Sequence, residues 1–179
     1  QIIASRSFGA PVYSADELAE GIRSYMTRAA EKLRRQGSIA GMVGVWLETN
    51  RFRQQDPQYH PSVSARLPQA TDDTLRLVGF ATALMRRIFR TGYRYVKAGV
   101  MLLDLRARSI VQGSLFDASQ EFDERRTRLM AVLDRASTKW GRGVLAPGSA
   151  GMTARWAMRR EHMTPAYTTR WEELVRVAC

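Results

Sequence analysis

Between Asp16 and Arg35 the apolar residues Leu18, Ile22, Met26, Ala29 and Leu33 recur at the three-to-four spacing of a helix that buries one face. Arg23, Arg28, Lys32 and Arg35 lie on the opposite face. Ser14-Ala15-Asp16-Glu17 supplies the start signal, a hydroxyl and a carboxylate three positions apart that satisfy unpaired backbone donors. Gly37 supplies the stop. Ahead of this helix, Gln1 to Phe8 predicts a short strand ending at Gly9 and Pro11. Behind it, Met42 to Thr49 alternates, with Val43, Val45 and Leu47 on one side and Met42, Gly44 and Trp46 on the other. Asp56-Pro57 marks a turn. Ser62 to Leu67 then alternates again, with Val63, Ala65 and Leu67 inward and Ser62, Ser64 and Arg66 outward.

Thr71-Asp72-Asp73 opens a second helix, placing acidic residues at its positive end. Leu75, Val78, Met85 and Phe89 line its face, Leu77, Ala81, Leu84 and Ile88 widen it, and Gly92 closes it. Val96 to Leu105 is apolar at almost every position, the pattern of a central strand or one covered on both sides. The order strand, helix, strand, strand, helix, strand gives an α+β fold of β-α-β-β-α-β form. It is a four-stranded antiparallel sheet with both helices on one face and the other face left for a partner.

After Leu105 the pattern changes. Arg106 to Ser119 reads as a linker, and Gln120 to Ser137 as a helix with Phe122, Leu129, Val132 and Leu133 at its apolar positions. Gly141 to Gly151 is glycine-rich and loop-like, and Met152 to Met163 is a basic helical or strand segment holding Trp156, Arg159 and Arg160. Thr169-Arg170-Trp171-Glu172 is a second capping box, ahead of a short last helix. The chain divides at these points into a sheet domain (1–105), a linker (106–119) and an extension (120–179).

Charge adds a partner to this picture. Of 179 residues, 28 are Lys or Arg against 17 Asp or Glu, a net +11. That excess calls for a polyanion, and nucleic acid is the first candidate. On the open sheet face the reading places Arg6, Trp46, Arg66 and Lys97 beside Ser62, Ser64 and Gly99, with Arg51, Arg53 and Arg94 at the strand ends. Small residues let a sugar-phosphate backbone approach, and the cations neutralise it without reading sequence. The paired aromatics of sheet-based RNA readers are absent. Contact with about five phosphates would make log affinity fall against log salt with a slope near −4.5.

Catalysis is not expected from these residues. His60 and His162 lie far apart, Cys179 has no second thiol, and no metal-ligand spacing occurs. The glycines of residues 143–151 lack the Gly-Lys-Ser/Thr of a nucleotide loop. Asp72-Asp73 is a dipole-compensating pair rather than a metal pair. The expectation is no catalytic residue, no metal and no cofactor. One cysteine suits a reducing cytosol, and no apolar run or signal peptide points to a membrane. The start at Gln1 instead of Met suggests a piece of a longer protein.

Gln112-Gly113-Ser114-Leu115-Phe116 stands out within the linker. A Leu-Phe pair after the domain has closed must be covered by the rest of the chain or by a partner's pocket.

Ser5-Arg6-Ser7-Phe8-Gly9 ahead of a capped helix resembles the entry to the little-finger domain of Y-family translesion DNA polymerases. Tyr93-Arg94-Tyr95-Val96-Lys97-Ala98-Gly99-Val100-Met101-Leu102 resembles the last little-finger strand of the catalytic subunit of bacterial DNA polymerase V, the UmuC type. Gly141-Arg142-Gly143 and Met163-Thr164-Pro165-Ala166-Tyr167-Thr168-Thr169-Arg170-Trp171 are similar to that subunit's C-terminal region. The resemblance implies an SOS-mutagenesis protein whose little finger lies along a damaged primer-template and grips its phosphates through Arg6, Trp46, Arg66 and Lys97. It also implies that Gln112, Ser114, Leu115 and Phe116 form a sliding-clamp peptide, with Gly113 where the family has Leu. Gln112 would bond at the rim, while Leu115 and Phe116 fill the clamp pocket. The C-terminal region is implied in contacts with the accessory subunit of polymerase V and the recombinase filament. The palm, with its metal-binding carboxylates and Mg2+, would lie upstream, so this part would not polymerise DNA. The location implied is the bacterial cytoplasm, at the nucleoid. The residues themselves also admit a free-standing basic nucleic-acid-binding regulator or a module that dimerises through a sheet edge.

Overall fold

The elements run β1 (Ile2–Val12), α1 (Ala15–Arg35), β2 (Ser38–Thr49), β3 (Ser62–Thr71), α2 (Thr74–Ile88), β4 (Tyr95–Ala107) and α3 (Gln120–Trp140), followed by a 3-10 turn at Trp171–Glu173. The computed structural model describes residues 1–108, 120–141, 145, 148, 156–158, 164–166 and 169–174. The sheet order is β1-β4-β2-β3 and every neighbouring pair is antiparallel. This is the α+β architecture that the order of periodic segments predicts. β4 is paired on both sides, which accounts for its nearly unbroken apolar run.

Local signals explain the boundaries. Ser14 Oγ accepts from the Asp16 backbone N–H at 3.2 Å and caps α1. Asp73 Oδ1 accepts from Leu75 and Arg76 N–H at 2.7 and 3.2 Å and caps α2. β1 runs beyond the predicted stop to Val12. It is an edge strand, where Pro11 removes no needed ladder bond, and its register shifts between Ser7 and Val12. α2 ends at Ile88, earlier than Gly92, which instead takes a positive φ of 89° in the following turn.

Both helices pack on one side of the sheet. Val43, Val45, Ala98, Val100 and Leu102 from the central strands meet Leu18, Ile22, Met26 and Leu33 of α1 and Leu77, Ala81 and Met85 of α2, all fully buried. Leu75, predicted on the α2 apolar face, is 38% exposed. The stripe that reaches the sheet runs through Leu77, Val78, Ala81, Leu84 and Met85 and leaves Leu75 outside. Tyr25 is buried in this core with no hydrogen-bond partner for its hydroxyl among the described residues, and burial pushes its phenol up to about 12 against the pull of Arg28 and Arg6.

The extension packs on this unit. The Arg34 guanidinium donates to both carboxylate oxygens of Asp134 on α3, at 2.7 Å each, and to the Asp72 carbonyl and Thr74 Oγ1 at 2.8 and 2.7 Å. Arg108 reaches Asp72 at 3.1 Å and Arg126 of α3 reaches Asp73 at 2.7 Å. α3 is thus fastened largely by charge. Its predicted apolar positions Leu129 and Val132 are about half exposed, and Met130 and Ala136 are buried in their place. Trp156 supplies a second anchor. Its carbonyl accepts from Gly9 N–H at 3.1 Å, and its ring stands edge-on to Phe8 and Tyr25 at 6.3 and 5.5 Å. The predicted cap at Thr169 does not form: Arg170 holds the N-cap position, and its side chain pairs with Glu173 at 3.0 Å instead of capping the turn.

Candidate nucleic-acid interface

Alternation along four antiparallel strands sorts the side chains that face away from the helices into rows. Ser7, Lys97 and Glu48 form one, and Ser5, Gly99, Trp46 and Ser62 the next. Ile3, Met101, Gly44 and Ser64 follow, then Leu103, Met42 and Arg66. Trp46, Arg66, Lys97, Ser62, Ser64 and Gly99 therefore share the open face, as read from the sequence. Ser5 and Ser7 belong to it as well and were missed. The buried Ile2 and Phe8, at even positions, were the signal that could have found them.

Arg6 is the correction. It pairs with Ala98, which is fully buried beneath the helices, so Arg6 lies on the helix side, beside Arg28 and Lys32 of α1. A one-residue change of phase moves every side chain of a strand to the other face.

Close approach is built into the middle of the face. The Trp46 ring lies across Gly99, where any Cβ would run into it, and a Cβ on Gly44 would stand 2.9 Å from the Met101 methyl. Trp46 therefore lies along the sheet instead of standing out as a stacking platform.

The cations at one end of the face are partly neutralised. Lys97 Nζ and Arg51 Nε share Glu48 at 3.8 and 3.1 Å, and Arg94 pairs with Asp56 at 3.2 Å. Arg53 and Arg66 make no ion pair among the described residues. Five cations (Arg51, Arg53, Arg66, Arg94 and Lys97) stand against two carboxylates, leaving three positive charges.

Gln58 holds the β2–β3 loop that carries Arg51 and Arg53. Its Nε2 faces the carbonyls of Asn50, Arg53 and Asp56 at 3.1, 2.9 and 3.0 Å, and its Oε1 accepts from Thr49 Oγ1 at 3.1 Å. Arg90 lies over the Tyr59 ring at 4.9 Å, and Tyr59 stacks against Tyr93 at 4.8 Å, which ties the loop to the start of β4. The Asp56-Pro57 signal marks this turn, but nothing local marks Gln58 as its hub. Gln58→Ala is expected to speed trypsin cleavage after Arg51 and Arg53 several-fold while Tm stays within about 2 °C, because the bonds lost are local and three of the four are exposed. Limited proteolysis beside thermal melting checks this.

Gln112, Ser114, Leu115 and Phe116 lie outside the described residues, in the stretch of sequence between β4 and α3. Among the described residues no group of His, Cys, Asp and Glu could hold a metal ion, and no helix is long and apolar enough to cross a membrane.

Residues 1–115 match the family described as the impB/mucB/samB family C-terminal domain, and residues 127–177 match a domain of unknown function. The chain is 37% identical to the protein UmuC of Salmonella typhimurium over 177 residues, which are 99% of this chain and 42% of that protein. It is 34% identical to the protein MucB of Escherichia coli over 174 residues, 97% of this chain and 40% of the relative. A solved complex of the beta-clamp processivity factor and the little finger domain of PolIV is similar at a TM-score of 0.41 and 16% identity, covering 65% of this chain and 98% of that one. The chain spans about two fifths of the length of these relatives.

Proposed function

We infer the function of this chain from one premise: it belongs to the impB/mucB/samB family, whose C-terminal domain it contains over residues 1–115. The chain is the DNA-gripping and clamp-tethering C-terminal part of an error-prone translesion DNA polymerase acting in SOS mutagenesis. The polymerising site, with its Mg2+, belongs to the rest of the longer protein, and this part has no polymerase activity of its own. The working division is a little-finger domain (1–105), a linker bearing the clamp peptide (106–119) and an extension (120–179) that meets the accessory subunit and the recombinase filament at the bacterial nucleoid.

The observation that carries this reading is the open sheet face. Arg66 and Lys97 stand on it beside Ser5, Ser62, Ser64 and Gly99, and Arg51 and Arg53 are held at its end by Gln58. A smooth surface of small residues bordered by cations suits a sugar-phosphate backbone, which must come close and be neutralised. The contacts are not sequence-specific, as a polymerase sliding along its template requires. Tethering is assigned to Leu115 and Phe116 as pocket-filling residues and to Gln112 and Ser114 as polar contacts beside them.

Leu115→Ala with Phe116→Ala is expected to abolish retention on immobilised sliding clamp while leaving duplex-DNA affinity unchanged. Clamp retention that survives both substitutions sinks the tether. Parallel loss of DNA binding would instead make the two residues part of the fold.

A further inference from the structure

A groove of about 600 Å³ runs between the first half of β1 and the C-terminal half of α1, on the helix side of the sheet and away from the open face. Arg6, Arg28, Lys32 and Arg35 line it above a floor that includes Ala4 and Ala29. Arg35 is engaged by Glu31 at 2.6 Å, whereas Arg6, Arg28 and Lys32 have no carboxylate within ion-pair reach among the described residues. Three exposed cations thus converge on an apolar trough.

The trough opens onto the start of an edge strand. Among the described residues β1 pairs with no strand but β4, its Gly9 N–H going to the Trp156 carbonyl, and Ile3, which points to the opposite face from Ala4, also borders the groove. Natural edge strands are blunted by prolines, bulges or lysines. In β1 the bulge and Pro11 come after Ser7, so Ile2 to Arg6 is left without such protection.

We propose that this edge and groove are a docking site for an extended acidic peptide of a partner protein, which adds as a fifth strand beside β1. Main-chain bonding to the free edge supplies affinity, and alternate side chains supply selectivity. Acidic residues at every second position of the peptide face Arg6, Arg28 and Lys32, and the residues between them turn toward Ile3. A nucleic-acid strand is the weaker fit, because no lining residue is aromatic and bases would find no stacking surface. Apart from Ile3 at its rim, the site uses none of the residues of the open face, and it stands independently of the role proposed above.

The test is fluorescence anisotropy with the full chain and a labelled peptide of alternating Glu and Val. The expected result is saturable binding that weakens at least about tenfold, or roughly 1.4 kcal/mol, in an Arg6→Glu, Arg28→Glu, Lys32→Glu variant. Binding should also fall with a Gln-Val peptide and stay unchanged in Arg66→Glu. Should the triple reversal unfold the chain, Arg28→Gln with Lys32→Gln gives the same comparison at lower charge cost. Equal binding of a peptide with its Glu residues grouped in one block overturns strand addition. Oligothymidylate that binds the groove cations where the Glu-Val peptide does not overturns the choice of ligand.

Discussion

Trp156→Ala is expected to lower the free energy of unfolding by about 3 kcal/mol, the low end of the range for emptying a buried Trp site. The ring is 8% exposed and stands edge-on to Phe8 and Tyr25, a geometry that adds to the area it buries. Gly21 of α1 makes the room: a Cβ there would stand 3.3 Å from Phe8 and 3.9 Å from the Trp156 ring. Removing the ring uncovers Phe8, and Tyr25 loses its cover along with it. Trp171→Ala is the matched control. Trp171 is 85% exposed, and its loss should change stability by less than about 0.5 kcal/mol. Urea unfolding followed by far-ultraviolet circular dichroism checks both. Equal stability of the two variants would mean that Trp156 is not part of the core in solution.

Arg34→Met is expected to have a comparable effect, about 2–3 kcal/mol, by a different cause. The Arg34 side chain is 8% exposed and makes four hydrogen bonds, two to Asp134 and one each to the Asp72 carbonyl and Thr74 Oγ1. Methionine fills the volume and leaves all four acceptors without their donor. The figure sits at or below the range for breaking a buried pair because the Asp134 carboxylate is 33% exposed and recovers part of its solvation. Asp134→Ala should cost less, about 1–2 kcal/mol, since Arg34 keeps two of its acceptors. The two substitutions should combine to less than their sum, because both break one network. Chemical denaturation of the two single variants and the double variant measures the coupling.

How far the sequence could be read depended on whether the signal was local. α1 and α2 announce themselves through capping side chains and a helical stripe, and β2 and β4 through alternation or unbroken apolarity. The phase of β1 was not legible. Ile2 and Ile3 are adjacent and both apolar, so alternation has no unique start. The residue that settles it, Phe8, is covered by Trp156 from the far end of the chain. That is why Arg6 was placed on the wrong face. Glu48 was likewise silent: only the register that sets it opposite Lys97 reveals that it neutralises part of the open face. The charge fastening of α3 depends on Arg34 meeting Asp134 and Arg126 meeting Asp73 across the fold, and no spacing in the sequence encodes it.

The salt dependence of duplex-DNA binding tests the central claim most directly. From charge counting alone, about five phosphate contacts would give a slope of log affinity on log salt near −4.5. With Arg6 off the face, the five remaining cations stand against Glu48 and Asp56, about three charges are left, and the expected slope is near −2.7. Arg53→Gln with Arg66→Gln should bring it to roughly −1. A slope near zero for the unmodified chain, or one that these two substitutions leave unchanged, would contradict the assignment of the open sheet face as the surface that grips DNA.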